Sequence, residues 1–450
     1  MQAIDAEVVV IGAGFAGLAA ARRLREAGRQ VCLLDARDRV GGRVMAGAVA
    51  GQIIDLGGQW VGAGHGRLTA LARAAGRPLK PQYVQGDKLL AIGGRQKRYK
   101  ALIPPVSPAA LAGMGWVLWR LRRLQAAVPA DAPWRAVHAE ALDACTLARW
   151  RDRNLPTADA RALFDLATRA VLCVESDQVS MLAFLHYLSA NGGFEDLIGT
   201  LDGAQAATVE GGMHALARSL AEPLGEALQL STPVVALTQE ADGVEVRSET
   251  GVWRARRVIV AMAPALAGRI AMAPFSAERE QLAQRMPMGS VIKCQVAYAQ
   301  PFWRTQGLSG ELISEKAVFS PVFDNSPADG GVGVLVGFID GSEALRWSGR
   351  PDERRRAVID SLVAHFGPQA AEPIDYVDHD WVADPWSRGC YTGVPTPGTL
   401  SRLGPALRAP CGAVHWAGTE TAEAWCGYIE GALSSGERAA DEVLQALAVR

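Results

Sequence analysis

The chain has 450 residues, too many for one compact core and enough for two or three domain-sized units. With 21% charged residues and a net formal charge of −1, it lacks the basic footprint that nucleic acid or an anionic membrane surface would require. Its seven scattered cysteines contain no CxxC pair, which argues against a zinc site and a disulfide framework and fits a reducing cytoplasm.

Met1 to Glu7 leads straight into a strand, with neither a basic stretch nor an apolar leader, so no secretion signal is expected. Residues 8–11 form an apolar strand that runs into Gly12-x-Gly14-x-x-Gly17 and a helical pattern. A second apolar strand, Val31–Leu34, ends on Asp35. Gly12 permits the tight turn, Gly14 lets the backbone approach a pyrophosphate, and Gly17 lets the helix close on the strand. Phosphates then meet unpaired N–H groups at a helix N-terminus, and Asp35 stands where a carboxylate meets a ribose. This pattern predicts a dinucleotide site. Gly41-Gly42-Arg43 follows, an addition that a nicotinamide site does not need.

The glycine-rich loop DLGGQW (residues 55–60) precedes a helix around residues 68–75. Residues 83–203 read as mostly helical, with periodic stretches at 135–153 and 158–171. Residues 111–124 are the most apolar run, but Arg120, Arg122 and Arg123 interrupt it, so an amphipathic surface helix is expected rather than a membrane span. Gly211-Gly212-Met213 opens a helix to about residue 228. Strands follow at 233–237, 243–248 and 252–255, then an apolar run at 257–261 that returns to the nucleotide sheet. Strands at 290–298 and 331–338 suggest a second sheet, and residues 354–366 a helix. A strand at 413–417 and a helix at 428–444 close the chain, leaving no expected tail anchor.

Five separated segments carry a resemblance that covers nearly the whole chain. They are the nucleotide fingerprint, DLGGQWVG (55–62), MGSVIKC (288–294), SRGCYT (387–392) and WAGTETAEAWCGYIEG (416–431). In this order they resemble the flavin-dependent monoamine oxidase family. The glycine pair with Arg43 is likewise similar to FAD-binding proteins of the glutathione-reductase type, although Asp35 stands where Glu is frequent. The resemblance implies an α/β flavin amine oxidase fold: a Rossmann-like FAD-binding domain with an inserted α+β substrate domain. The expected cofactor domain is 1–79, 209–285 and 383–450; the expected substrate domain is 80–208 and 286–382. It also implies FAD as cofactor, and conversion of a small amine and O2 to imine and H2O2.

Site residues follow from the matching motifs. Tyr391 and Tyr428 are expected as two walls of an aromatic cage before the flavin, whose electron-rich faces orient an amine. Lys293 is expected beneath the flavin, where a fixed cation favours oxygen reduction, although strand alternation alone would send it to solvent. Cys390 matches a cysteine that holds FAD by an 8α thioether in animal relatives; a free buried thiol fits the string equally well. The remaining cofactor set is Gly12, Gly14, Gly17, Asp35, Arg37, Gly42, Arg43, Gly58, Gln59, Trp60, Val234, Trp381, Gly418, Thr419, Glu420 and Gly427. Gly427, Tyr428 and the helix that follows are expected to offer N–H groups to the flavin's N1–C2=O edge. Trp60, Gln205 and Phe338 are expected near the amine, with Leu172 and Ile198 as apolar lining.

No Ser/His/Asp pattern, HExxH, P-loop or metal-ligand cluster appears, so no metal is expected. His415 reads as a core residue. Without an obvious strong base, the chemistry reads as hydride transfer from a neutral amine. An L-amino acid oxidase would need a cation for the substrate carboxylate, with Arg169 or Arg67 as candidates. A putrescine or polyamine oxidase would need acids along a tunnel, with Glu175, Asp177 or Glu210 available. A flavin-binding scaffold without turnover is the non-enzymatic alternative. The expected partners are the amine and O2, with no nucleic acid and no membrane anchor; a homodimer remains open.

Overall fold

The computed structural model describes residues 5–101, 105–274, 276–328 and 330–448. It is built on two large sheets. In the first, β1 (Ala6–Ile11) pairs in parallel with β2 (Val31–Leu34) on one side and with the strand Val252–Ala261 on the other. Helix α1 (Phe15–Glu26) joins β1 to β2. Both strands are buried almost throughout, as parallel strands covered by helices must be. The helix buries Phe15, Leu18, Ala21 and Leu24 at three-residue spacing and leaves Arg22 and Arg23 in solvent.

Residues 252–261 form one ten-residue strand, where the sequence suggested two. Its first half pairs antiparallel with Val244–Ser248, and its second half pairs in parallel with Val414–Ala417. The arginines at 254, 256 and 257 read as a break, yet they lie only partly buried, and Arg254 pairs with Glu240 and Glu245. The C-terminal helix Ile429–Ala448 packs along α1 at small residues. A Cβ on Gly436 would stand 2.1 Å from the Ala16 carbonyl oxygen.

The second sheet contains β3 (Asp87–Ile92), β4 (Arg95–Tyr99), β5 (Val291–Tyr298), β6 (Leu308–Ser314), β7 (Val322–Asp324), β8 (Gly333–Asp340) and β9 (Asp375–Asp380). Their spatial order is β9-β5-β8-β7-β6-β3-β4. The hairpin β3–β4 interrupts the region that read as helical. Its turn, Gly93-Gly94, has both φ values positive (57° and 74°), the conformation that tight hairpins favour. One face of this sheet meets a helical layer that includes α2 (Pro108–Gln125), α3 (Ala158–Leu172) and α4 (Met181–Ala190). Residues 135–153 are not one helix. They hold the helices Ala139–Asp143 and Leu147–Asn154, the second started by Thr146, whose hydroxyl accepts the Arg149 N–H. Among the described residues no helix is long and apolar enough to cross a membrane, and all seven cysteines are unpaired.

Candidate active site

One continuous cavity runs from the β1–α1 turn, past the Lys293 end of the second sheet, to the inner faces of α2 and α3. At the first end the backbone is shaped for close approach. Gly12 adopts φ 101°, and a Cβ there would lie 2.8 Å from the Ala261 carbonyl oxygen. Gly17 lies behind this wall rather than in it. Its Cβ would stand 1.8 Å from the Gly12 carbonyl oxygen, so glycine is what lets α1 close on the turn. The N-terminus of α1 has no side-chain cap and no acid in its first turn, which leaves N–H groups and a positive helix end facing the cavity.

Asp35 is buried in the same wall. Its carboxylate accepts the Ala13 N–H at 2.6 Å and the Arg37 N–H at 2.8 Å, and so ties the end of β2 to the turn. Burial raises its pKa, and those two N–H groups oppose the rise. Gly42, Gly58, Val234 and Gly418 bring further backbone to the wall. This cradle of glycine backbone, free helix N–H groups and a carboxylate fits a dinucleotide diphosphate and its ribose.

Arg43 lines the cavity, but its guanidinium is already engaged. It meets Glu420 at 2.6 and 3.1 Å and the Tyr391 carbonyl oxygen at 2.8 Å. Glu420, expected beside the cofactor, lies outside the wall and supports Arg43 from behind. Burial would raise the Glu420 carboxyl, but Arg43 holds it below its ordinary value. Arg37 pairs similarly with Asp384 and Ser387 at 2.8 and 2.7 Å.

Lys293 does not face solvent. Its strand is buried at every position because β8 and β9 flank it and both faces are covered. The ammonium donates to the Gly57 carbonyl at 2.8 Å and to Gln59 Oε1 at 2.5 Å, and lies 5.5 Å from the Trp60 ring centroid. Burial lowers its pKa, and the nearby Asp55 carboxylate opposes that shift. The Trp60 indole N–H is held by Gln82 and the Trp381 indole N–H by the Leu56 carbonyl, both at 2.9 Å. Phe338 lies opposite Lys293 in the sheet register, with its ring 5.9 Å from Trp60.

Tyr391 and Tyr428 both line this cavity. The Tyr391 phenol bonds with the Cys173 thiol, and its ring meets Phe338 edge-on at 5.8 Å. The Tyr428 phenol bonds with the Tyr187 phenol, and its ring packs 5.4 Å from His65 and 5.5 Å from Trp425. Burial raises both phenol pKa values, so both rings are neutral. The peptide between Cys390 and Tyr391 is cis. Cys390 sits in the wall, where burial pushes its thiol up to about 12 against the pull of Arg43 and Arg37. The Tyr428 N–H does not face the cavity as a free donor: it is bonded to the Trp425 carbonyl. Thr419 is in the wall, and its hydroxyl donates to the Tyr428 carbonyl.

Ile198 and Gln205 line the cavity, and Gln205 is anchored to the Leu197 carbonyl. Leu172 does not line it. It ends α3 inside the helical core, and its neighbour Val171 reaches the wall instead. The sequence reading missed Tyr187 and Cys173, which position the two phenols, and Phe323, Ile313, Asp340, Glu311 and Lys88 in the wall. Two signals were available: a lone acid in the apolar strand LSGELIS, and a lone phenol in the helix MLAFLHYLSA. Arg169, Arg67, Glu175, Asp177 and Glu210 all lie outside the wall. His415 is buried with one ring nitrogen 3.3 Å from Glu442, away from the site.

The family model for flavin containing amine oxidoreductases matches residues 15–444. The chain belongs to this family. It is 38% identical to the probable flavin-containing monoamine oxidase A of Dictyostelium discoideum, over 97% of each chain. It is 39% identical to the putative flavin-containing monoamine oxidase AofH of Mycobacterium tuberculosis, over 97% of this chain and 96% of that one. Cyclohexylamine oxidase from Brevibacterium oxydans superposes with a TM-score of 0.93 at 35% identity, covering 99% of this chain and all of the other. A putrescine oxidase bound to putrescine superposes at 0.94 and 30% identity, covering 98% and 99%. The protein has the flavin amine oxidase fold and is an FAD-dependent amine oxidase, acting on a small-molecule amine with O2.

Proposed function

We propose that this amine oxidase deaminates primary or secondary amines with an apolar body, and that Tyr391, Tyr428 and Lys293 are its working residues. The observation that carries this reading is the meeting of two neutral phenols and a buried ammonium in one largely apolar cavity. In this reading the phenol rings orient the amine by their faces, and the apolar wall strips its water and favours the neutral form. When bound, FAD supplies the redox chemistry, taking hydride from the amine carbon and passing the electrons to O2 to give H2O2. The imine then hydrolyses to an aldehyde or ketone.

The same reading puts the cofactor in the unit formed by residues 1–79, 209–285 and 383–450, and the amine against 80–208 and 286–382. Sheet membership supports it, since the glycine cradle belongs to the first sheet and Phe338 and Lys293 to the second. It also includes a thioether from Cys390 to FAD, supported by the thiol's place in the cavity wall within the string GCYT. The seven unpaired cysteines support a reducing compartment, the cytoplasm.

An L-amino acid oxidase is disfavoured because every cation in the wall is engaged. Arg37 pairs with Asp384, Arg43 with Glu420, Lys88 with Glu311, and Lys293 with Gly57 and Gln59. Peroxide release should be measured with benzylamine, tyramine, putrescine and a set of L-amino acids. Turnover of the aromatic amines is expected. Activity on amino acids alone would overturn the reading, and silence on every amine by FAD-loaded protein would favour a scaffold.

A further inference from the structure

The outer part of the cavity is walled by Met114 and Leu118 of α2, Leu163, Leu166, Ala167 and Val171 of α3, and Ile313 of β6. Into this apolar wall β6 and β3 bring a carboxylate and an ammonium: Glu311 Oε2 and Lys88 Nζ stand 2.8 Å apart. Glu311 is 8% exposed, and the Lys88 side chain 13%. Both side chains line the cavity, so the pair presents carboxylate oxygen and ammonium N–H groups to whatever occupies it. A buried ion pair in an apolar wall carries a desolvation penalty that two apolar side chains would avoid. This one also lines the cavity, where a polar group of a bound molecule can share its acceptor and donors.

We propose that the Lys88–Glu311 pair recognises a hydroxyl group at the far end of the amine substrate, so that the preferred substrates carry an apolar body ending in a phenol or alcohol. The inference rests on the proposed placement of the amine at Tyr391 and Tyr428. A hydroxyl donates to the Glu311 carboxylate while accepting from Lys88, and so bonds both groups without adding charge. A second ammonium would be attracted to Glu311 but would stand against Lys88 at close range, and a distal carboxylate would meet the reverse problem.

The sheet supplies a ruler. Lys293 pairs with Phe338; beside it Gly337 pairs with Val322, and Val322 with Leu312, the neighbour of Glu311. Three strand spacings separate β5 from β6, roughly 14 Å. Ile313 and Phe323 line the space between, so an arylalkyl body lies along apolar wall before its end reaches the pair.

The test compares kcat/KM for hydroxylated amines and their deoxy analogues on identical skeletons. Tyramine is paired with 2-phenylethylamine, and longer 4-(aminoalkyl)phenols with their phenylalkylamines, alongside terminal diamines of similar length. The expected preference for the hydroxyl is about 10-fold or more for at least one chain length. It should fall to near 1 in the double variant Lys88→Met, Glu311→Leu, which removes both charges together. If that variant fails to retain FAD, the single variants Glu311→Gln and Lys88→Met are read by the same ratio. A ratio near 1 in the wild type, a ratio the variants retain, or a preference for diamines would each overturn the inference. In those cases turnover of 2-phenylethylamine shows that the amine oxidase reading stands; loss of all amine turnover in wild type sinks that reading and the inference with it.

Discussion

Lys293 shows how neighbours override alternation. Strand period alone would expose every second residue, but β5 has a strand on each side and packing on both faces, so all eight of its residues are buried. A lysine kept there must have its charge satisfied, and Gly57 and Gln59 do so from the loop DLGGQW. A cation fixed in an apolar site stabilises negative charge that develops on oxygen far more than one in water. Lys293→Met should therefore slow the oxygen half-reaction by about tenfold or more while affecting the amine half-reaction less. Stopped-flow traces of the two half-reactions decide it, and equal losses would remove Lys293 from oxygen chemistry. Cys390 is tested more simply. Acid precipitation of wild type should leave the yellow colour in the pellet, whereas Cys390→Ala should release it to the supernatant. Wild-type colour in the supernatant means that no thioether forms.

At the scale of elements, the contact between α1 and the C-terminal helix fixes the cradle. Gly436 lets the two helices touch, with no room for a Cβ against the Ala16 carbonyl. Gly436→Val should force α1 outward, costing about 1–3 kcal/mol. Because α1 carries the free N–H groups at the diphosphate end, the variant should also purify with less FAD. A lower melting temperature with full flavin absorbance would show that α1 does not transmit the strain. The elements themselves were unevenly legible. α1, β1 and β2 could be read because glycine spacing and apolar runs there have local causes. The hairpin β3–β4 escaped within a helical region, although Gly93-Gly94 between LLAI and RQKRY was a turn signal. The strand Val252–Ala261 was split in the reading because its change from antiparallel to parallel partners is a tertiary fact, invisible in its own residues. Leu172 and Val171 differ for a similar reason: helical phase places both near the core, and only packing decides which one reaches the cavity.

For the molecule as a whole, the cavity lies where two sheets and a helical layer meet, and groups placed there lose water from several sides at once. Asp340, the last residue of β8, is one of them. Burial raises its carboxyl to about 7, a rise that Glu175 reinforces and Arg169, 3.9 Å away, only partly offsets. The ordinary value is 3.8, so between about pH 4 and pH 7 the folded protein keeps a proton that the unfolded chain has released. The stabilisation from that proton is complete below pH 4 and is lost as pH rises through 7. The loss from this one group approaches about 1.4 kcal/mol per pH unit at most. Asp340→Asn keeps the shape and removes the titration. Its stability advantage over wild type should therefore grow from pH 5 to pH 7 and level off by pH 8, read from urea melts at each pH. A gap independent of pH would mean that Asp340 is already ionised in the fold at pH 5, with Arg169 outweighing burial.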